Sequence, residues 1–326
     1  MNKEYYYEYC NGILGVKTNA KDFKWVYGSV APLAQKEKYE QCRVKFDIQV
    51  KPEAKLGTAF NVDRKFQAYT WDEDSQTLYY RRKLFLNFHI GFNIKIVENV
   101  VCAEIGEHYY KHIKNRTMNL HGMYYLLSDI ANIMLLKNGL LTLYAAAVYN
   151  DNKKKGRVLF GAPTTGKTLT AMKVCENQNY SLLGEDILIT DGIQIFSCPW
   201  TMSFRKKSSI IDDAGACGRK SIEGNIKHCE HCELTDVSVL SIGKKKIESE
   251  KKILFNQISI LNGYLFNYYS SPIVKVLAFM KQEYQKEWET MAKLMLEKII
   301  ANCACRGIQA EKPELFSEII LQEENN

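Results

Sequence analysis

The sequence has no apolar run of the roughly 20 residues needed to cross a bilayer. Its most apolar stretch, Leu120 to Val148, is broken by Asp129 and Lys137. The opening residues, MNKEYYYEYC, lack the apolar core of an export signal. Both absences set the expectation of a cytoplasmic protein without a membrane partner. There is no internal repeat, and 46% hydrophobic against 25% charged residues excludes a disordered or collagenous chain. The ten cysteines are scattered, without the dense and even spacing of a disulfide framework, so most are expected to be buried thiols. Charge of one sign is also scarce: 44 Lys and Arg against 37 Asp and Glu leave +7. The longest basic runs, Lys153 to Lys155 and Lys244 to Lys246, sit beside turns, so nucleic acid is not an expected partner.

At about 100–200 residues per domain, 326 residues suggest two domains. From Cys42 to Lys51 the alternation is clean, with Cys42, Val44, Phe46, Ile48 and Val50 on one side and polar residues on the other. That pattern predicts a half-buried antiparallel strand. A second run places Leu84, Leu86, Phe88, Ile90, Phe92, Ile94 and Ile96 on one face, with Gly91 at a bend or bulge. Tyr5 to Tyr7, Tyr79 and Tyr80 suit sheet surfaces and edges. From Leu120 the period becomes helical, carried by Met123, Tyr124, Leu127, Ile130, Ala131 and Met134, with Asn138-Gly139 as the stop. Strands are expected at 141–149, 157–160 and near 237–242, and helices over 252–269 and 273–303. The fold class expected is α/β (α+β). An antiparallel β-rich domain, 1–116, docks a substrate or partner, and a nucleotide-binding domain, 117–326, ends in helices.

Residues 161–168 read GAPTTGKT, a match to GxxxxGK[ST]. The apolar Val158-Leu159-Phe160 enters it, and a helix-compatible segment from Lys167 to Glu176 leaves it. Gly161, Ala162, Pro163, Thr164, Thr165, Gly166, Lys167 and Thr168 are therefore the candidate nucleotide-binding residues. A triphosphate is a concentrated negative charge, and backbone N–H groups converge on it only where no Cβ obstructs them, hence the glycines. Lys167 reaches the β- and γ-phosphates, and the Thr168 hydroxyl can ligate Mg2+. Further on, Glu185-Asp186 stands between two apolar segments, and Asp191-Gly192 predicts a type I′ hairpin turn. Adjacent carboxylates near a phosphate loop can divide labour, one ordering Mg2+ and the other taking a proton from an attacking hydroxyl.

Three pieces together resemble HPr kinase/phosphorylase and its relatives, which share a core with ATP-dependent phosphoenolpyruvate carboxykinase. Leu143-Tyr144-Ala145-Ala146-Ala147-Val148 stands where that family has a Leu-His-Ala-Ser/Ala-x-Val strand. GAPTTGKT is the phosphate loop, and Gly184-Glu185-Asp186 stands at the family's Ala/Gly-Asp-Asp. The resemblance implies a P-loop kinase core fed by an antiparallel hairpin, and an ATP- and Mg2+-dependent kinase of an alcohol, typically a seryl group of a protein or peptide. It implies Asp186 as general base, Lys167 and Glu185 as its catalytic companions, and Thr168 with Glu185 at the metal. Relatives often assemble as homo-oligomers. Tyr144 replaces the family's histidine, Glu185 its first aspartate, and no Arg-Gly-Leu-Gly follows. These departures keep a second reading open, a nucleotide-binding regulatory or scaffold protein without phosphoryl transfer.

Two segments remain. Arg205, Lys206 and Lys207 lie in a polar stretch of little periodicity, suited to a loop that closes over phosphate or to a solvated one. His228-Cys229-Glu230-His231-Cys232 puts a CxxC beside two histidines, which fits a structural metal completed by Cys217 or by Cys303 and Cys305, a redox thiol pair, or ordinary loop residues.

Overall fold

The computed structural model describes residues 3–21, 23, 33–52, 67–72, 74–85, 88–115, 126–185, 187–198, 203–205, 219–221, 226–265 and 284–325. These are mixed α/β, built on two mixed sheets and a two-stranded ribbon. They fall into two units whose boundary at Met134/Leu135 lies within a helix. Among the described residues no helix is long and apolar enough to cross a membrane.

The first sheet comprises β1 (Tyr5–Tyr9), β2 (Leu14–Thr18), β3 (Val44–Lys51), β4 (Gln67–Asp72), β5 (Thr77–Phe85), β6 (Phe88–Val97) and β7 (Val100–Gly106). Their spatial order is β1-β2-β3-β7-β6-β5-β4. Helix α1 (Lys36–Gln41) precedes β3, and α2 (Glu107–Asn115) follows β7. Val44, Phe46 and Ile48 are fully buried, as the alternation predicts. The direction differs from expectation: β3 runs parallel to both β2 and β7, so the sheet is mixed and not antiparallel. Alternation reports that one face is covered, and says nothing of which way the neighbours run.

The run from Leu84 to Ile96 is a hairpin, not one strand, since β5 ends at Phe85 and β6 starts at Phe88. The direct pairs Leu78–Ile94 and Tyr80–Phe92 put Leu78 and Tyr80 on the same buried side as Ile90, Phe92 and Ile94, so both strands keep one alternation, and the register shifts only further on, between Lys83 and Phe85. No bulge occurs at Gly91, which pairs with Arg81. A Cβ there would stand 2.6 Å from Arg81 Cδ and 2.7 Å from the Tyr80 carbonyl; the glycine makes room for a buried arginine. Tyr5 to Tyr7 lie on β1 at the edge of the sheet, as expected, though Tyr7 is buried there, and Tyr80 belongs to the core and not to the surface. Tyr80 stacks on Phe92 at 4.8 Å, and Tyr109 of α2 tilts against the same ring at 5.4 Å. Burying each such side chain is worth about 1.5–3 kcal/mol.

Helix α3 (Leu126–Lys137), within which the boundary between the units falls, ends where Asn138-Gly139 predicted. Gly139 takes φ 71°, its N–H donates to the Leu136 carbonyl, and the Leu140 N–H donates to that of Leu135. This is a Schellman closure. The expected first turns of the helix, 120–125, lie outside the described residues. Then come β8 (Leu141–Tyr144), β9 (Ala146–Asn150), β10 (Lys155–Gly161), α4 (Lys167–Cys175), β11 (Tyr180–Gly184), β12 (Ile187–Thr190) and β13 (Gln194–Ser197). The ribbon β14 (Ser203–Arg205) and β15 (Arg219–Ser221) precedes β16 (Lys227–His228), β17 (His231–Ile242), β18 (Lys246–Glu248) and α5 (Lys251–Leu265). Last are α6 (Tyr284–Asn302), β19 (Ala304–Ala310) and α7 (Glu314–Asn325). The expected helix parts at 266–269 and 273–283 lie outside the described residues.

The sheet has two halves sharing β17. One runs β16-β11-β9-β10-β17, with β19 and β18 beyond it; the other runs β17-β13-β12-β8. β10 is antiparallel to β9 and parallel to β17, and β17 is parallel to β19. The chain passes between the halves at Ala145, from β8 to β9, and again between Gly184 and Ile187. Helices α4 and α7 pack on the first half through Ala171, Val174, Phe316 and Ile320 against Val148, Leu159, Leu240 and Ile308. The expected type I′ turn at Asp191-Gly192 is instead a four-residue connection, because Thr190 pairs with Ile195. The Asp191 carboxylate accepts the N–H groups of Ile193 (2.9 Å) and Gln194 (2.7 Å), which a side-chain acceptor can do without a second left-handed residue.

Candidate functional site

Strand β10 is apolar on both faces, and Val158, Leu159 and Phe160 are fully buried. It delivers Gly161 to the end of the sheet as a rigid entry to the loop. The loop turns sharply: the Thr165 N–H and hydroxyl both donate to the Ala162 carbonyl, at 3.2 and 2.6 Å. Thr164 has φ 67° and Gly166 φ 100°. A Cβ on Gly166 would lie 2.5 Å from Pro313 Cβ, and one on Gly161 would lie 3.1 Å from the Leu240 carbonyl. Gly166 is thus required by backbone shape and packing before any ligand is considered, and Gly161 leaves only tight room for a Cβ.

Lys167 carries the site beyond packing. It is 5% exposed, and its Nζ donates to the carbonyls of Gly161 (2.8 Å) and Ala162 (3.2 Å). The same Nζ lies 4.1 Å from the centre of the Tyr144 ring. An ammonium loses much hydration on burial and needs such partners. Next to it α4 begins at Gly166, which brings no capping side chain. The first N–H groups of a helix are orphans, and its dipole is positive at that end. Thr168 follows, half-buried, while Thr170 turns its hydroxyl back to the Gly166 carbonyl at 2.9 Å.

The acidic pair lies where the chain changes halves of the sheet. Gly184 pairs with Ala147 and Ile187 with Tyr144, so the registers bring Glu185 beside the Tyr144-Ala145-Ala146 corner. Leu159, two residues before Gly161, pairs with Ala146. Three neighbouring segments therefore bring Glu185, Tyr144 and the loop to one end of the sheet. Glu185 is 4% exposed. Asp186 lies outside the described residues, as do Lys206 and Lys207. Arg205 is placed in the β14–β15 ribbon.

Two contributors had no local signal. Asn262 of α5 accepts the Tyr144 N–H at 2.9 Å and donates to the Thr142 carbonyl at 3.2 Å. Its amide thus bonds β8, the last strand in the order, as another strand would, and fixes Tyr144 under the lysine. Pro313, between β19 and α7, closes against Gly166. Each acts across more than a hundred residues of sequence.

The CxxC segment is separate. Among the described residues no group of three His, Cys, Asp or Glu can hold a metal ion, and Cys217 lies outside them. Cys303 and Cys305 are buried and donate to backbone carbonyls. Hydrogen bonding from the Cys232 thiol pulls Cys229 down to about 7, and the same bond with burial pushes Cys232 up. The proton of the pair stays on Cys232.

No family model matches this chain, and no curated protein matches it.

Proposed function

We propose that the chain is an ATP- and Mg2+-dependent phosphotransferase acting on a seryl or other alcohol hydroxyl of a protein, peptide or small molecule. The observation that carries this reading is Lys167, a buried ammonium held by its own loop's carbonyls at an uncapped helix start. Phosphate oxygens are stronger partners for an ammonium than peptide carbonyls or an aromatic face. On this reading the amine leaves Gly161 and Ala162 for the β- and γ-phosphates, and the N–H groups opening α4 donate to the same oxygens. The Thr168 hydroxyl and the Glu185 carboxylate are the residues suited to Mg2+, which when bound neutralises charge on those oxygens. Asp186 takes the proton of the attacking hydroxyl.

The finer fold reading, a P-loop kinase core of the HPr kinase/phosphoenolpyruvate carboxykinase type, is proposed on the same ground. The antiparallel β9–β10 hairpin that feeds the loop supports it, as does the strand-loop-helix order. A second reading, a nucleotide-binding regulatory or scaffold protein, is favoured by Tyr144, since a ring that packs on Lys167 replaces a group that titrates near neutrality. The test is transfer from γ-labelled ATP to a mixture of seryl peptides, with Asp186→Asn beside the wild type. Transfer that disappears in the variant while ATP affinity holds within a few fold supports the kinase; ATP binding without transfer or ADP release supports the scaffold.

A further inference from the structure

A cavity of about 470 Å³ adjoins the phosphate loop, within the roughly 300–1,000 Å³ of small-molecule sites. One wall is the loop itself, residues 162–165. A second is the end of β17, residues 239–242, and the third is α5 through Gln257, Ile260 and Leu261. None of the described lining residues bears a charge. Such walls offer a phosphate or a charged peptide no opposite charge, and they suit an uncharged, largely apolar ligand. Ile260 is 70% exposed and Ile242 51%, two large aliphatic side chains left in water that gain when a ligand covers them. The Thr164 and Thr165 hydroxyls already donate to loop carbonyls. The Gln257 amide lies on the exposed side of α5 and offers a donor and an acceptor side by side.

We propose that this cavity holds the base and ribose of a nucleoside triphosphate, with Ile242 and Ile260 covering the base and Gln257 reading its edge. This rests on the nucleotide-binding reading of the Gly161–Thr168 loop. Two observations select the occupant. Phosphates held by the loop tether the rest of their molecule beside it, and residues 162–165 are the shared wall. The uncharged surface matches the part of a nucleotide that carries no charge. Gln257 is then a specificity-determining residue, and α5 serves the site twice, since Asn262 of the same helix positions Tyr144.

The test is calorimetric titration of the full chain with Mg-ATP, Mg-GTP and inorganic tripolyphosphate. Ile242→Ser/Ile260→Ser changes only exposed side chains and no charge, so the fold is retained. The expected result is ATP binding weakened about ten-fold in that double variant, from lost apolar cover, with tripolyphosphate unaffected. Gln257→Ala is expected to shift the ATP-to-GTP preference by about five-fold. Wild type that binds ATP no more tightly than tripolyphosphate, or variants that leave every affinity unchanged, overturns the cavity's role and leaves the loop as a phosphate site. Wild type that binds none of the three overturns the nucleotide reading itself, and the cavity's role with it.

Discussion

Each unit buries at least one cation, and Arg81 of the first and Lys167 of the second are held in opposite ways. Arg81 is 8% exposed and donates to the Tyr80 and Phe92 carbonyls and to Asn93 Oδ1, at 2.7, 3.1 and 3.0 Å. Asn93 passes the chain of bonds to Glu104 at 3.4 Å, and Glu104 pairs with Lys51. A planar guanidinium with several fixed acceptors is a lock between strands. Lys167 is buried as deeply, but it is a mobile point charge whose partners include two loop carbonyls and a ring face. A cation–π contact is worth about 0.5–2 kcal/mol, less than a charge-assisted bond to phosphate. Burial of a cation therefore does not mark a site; the exchangeability of its partners does.

That contrast breaks most visibly in substitutions that separate stability from binding. Arg81→Leu leaves two carbonyls and an amide oxygen without their donor and is expected to cost about 4 kcal/mol in chemical denaturation, with ATP affinity within two-fold of wild type. Lys167→Ala is expected to do the reverse, lowering ATP affinity about 100-fold, or about 2.7 kcal/mol, with the unfolding midpoint nearly unchanged. Equal losses of stability in both would erase the distinction. Gly166→Ala touches both quantities, since φ 100° and Pro313 oppose a Cβ; a destabilisation of about 2 kcal/mol with weakened ATP binding is expected. Asn262→Ala removes the amide that bonds β8 and is expected to cost about 1.5 kcal/mol, read as a lower melting temperature. The smallest effect lies outside both networks. Alkylation of Cys229 should rise through pH 7 as its thiol deprotonates and then level off, because its thiol is held down to about 7. A rate still rising at pH 9 contradicts that assignment.

The sequence made the site's centre legible because eight contiguous residues encode it. Backbone shape, close approach and positive charge all fall between Gly161 and Thr168, and the entering strand and leaving helix are adjacent. The Asn138-Gly139 stop was legible for the same local reason. What escaped depends on distant partners. β19 and α7 complete the second sheet and its helical cover, yet ACRGIQA alternates weakly around Arg306 and Gly307. Asn262 reads as an ordinary polar residue of α5 until β8 is placed beside it. The hairpin hidden within Leu84 to Ile96 escaped because even-numbered residues of one strand pair with even-numbered residues of the other, as Tyr80 does with Phe92, so both strands share one alternation. The parallel setting of β3 is fixed by connections that alternation does not encode.

The most direct measurement is calorimetric titration of Mg-ATP into the wild type beside Lys167→Ala, which needs no knowledge of the acceptor. Micromolar binding, about −8 kcal/mol, that weakens about 100-fold in a folded Lys167→Ala is the predicted result. A folded wild type that binds no ATP, or binding that Lys167→Ala leaves intact, contradicts the account.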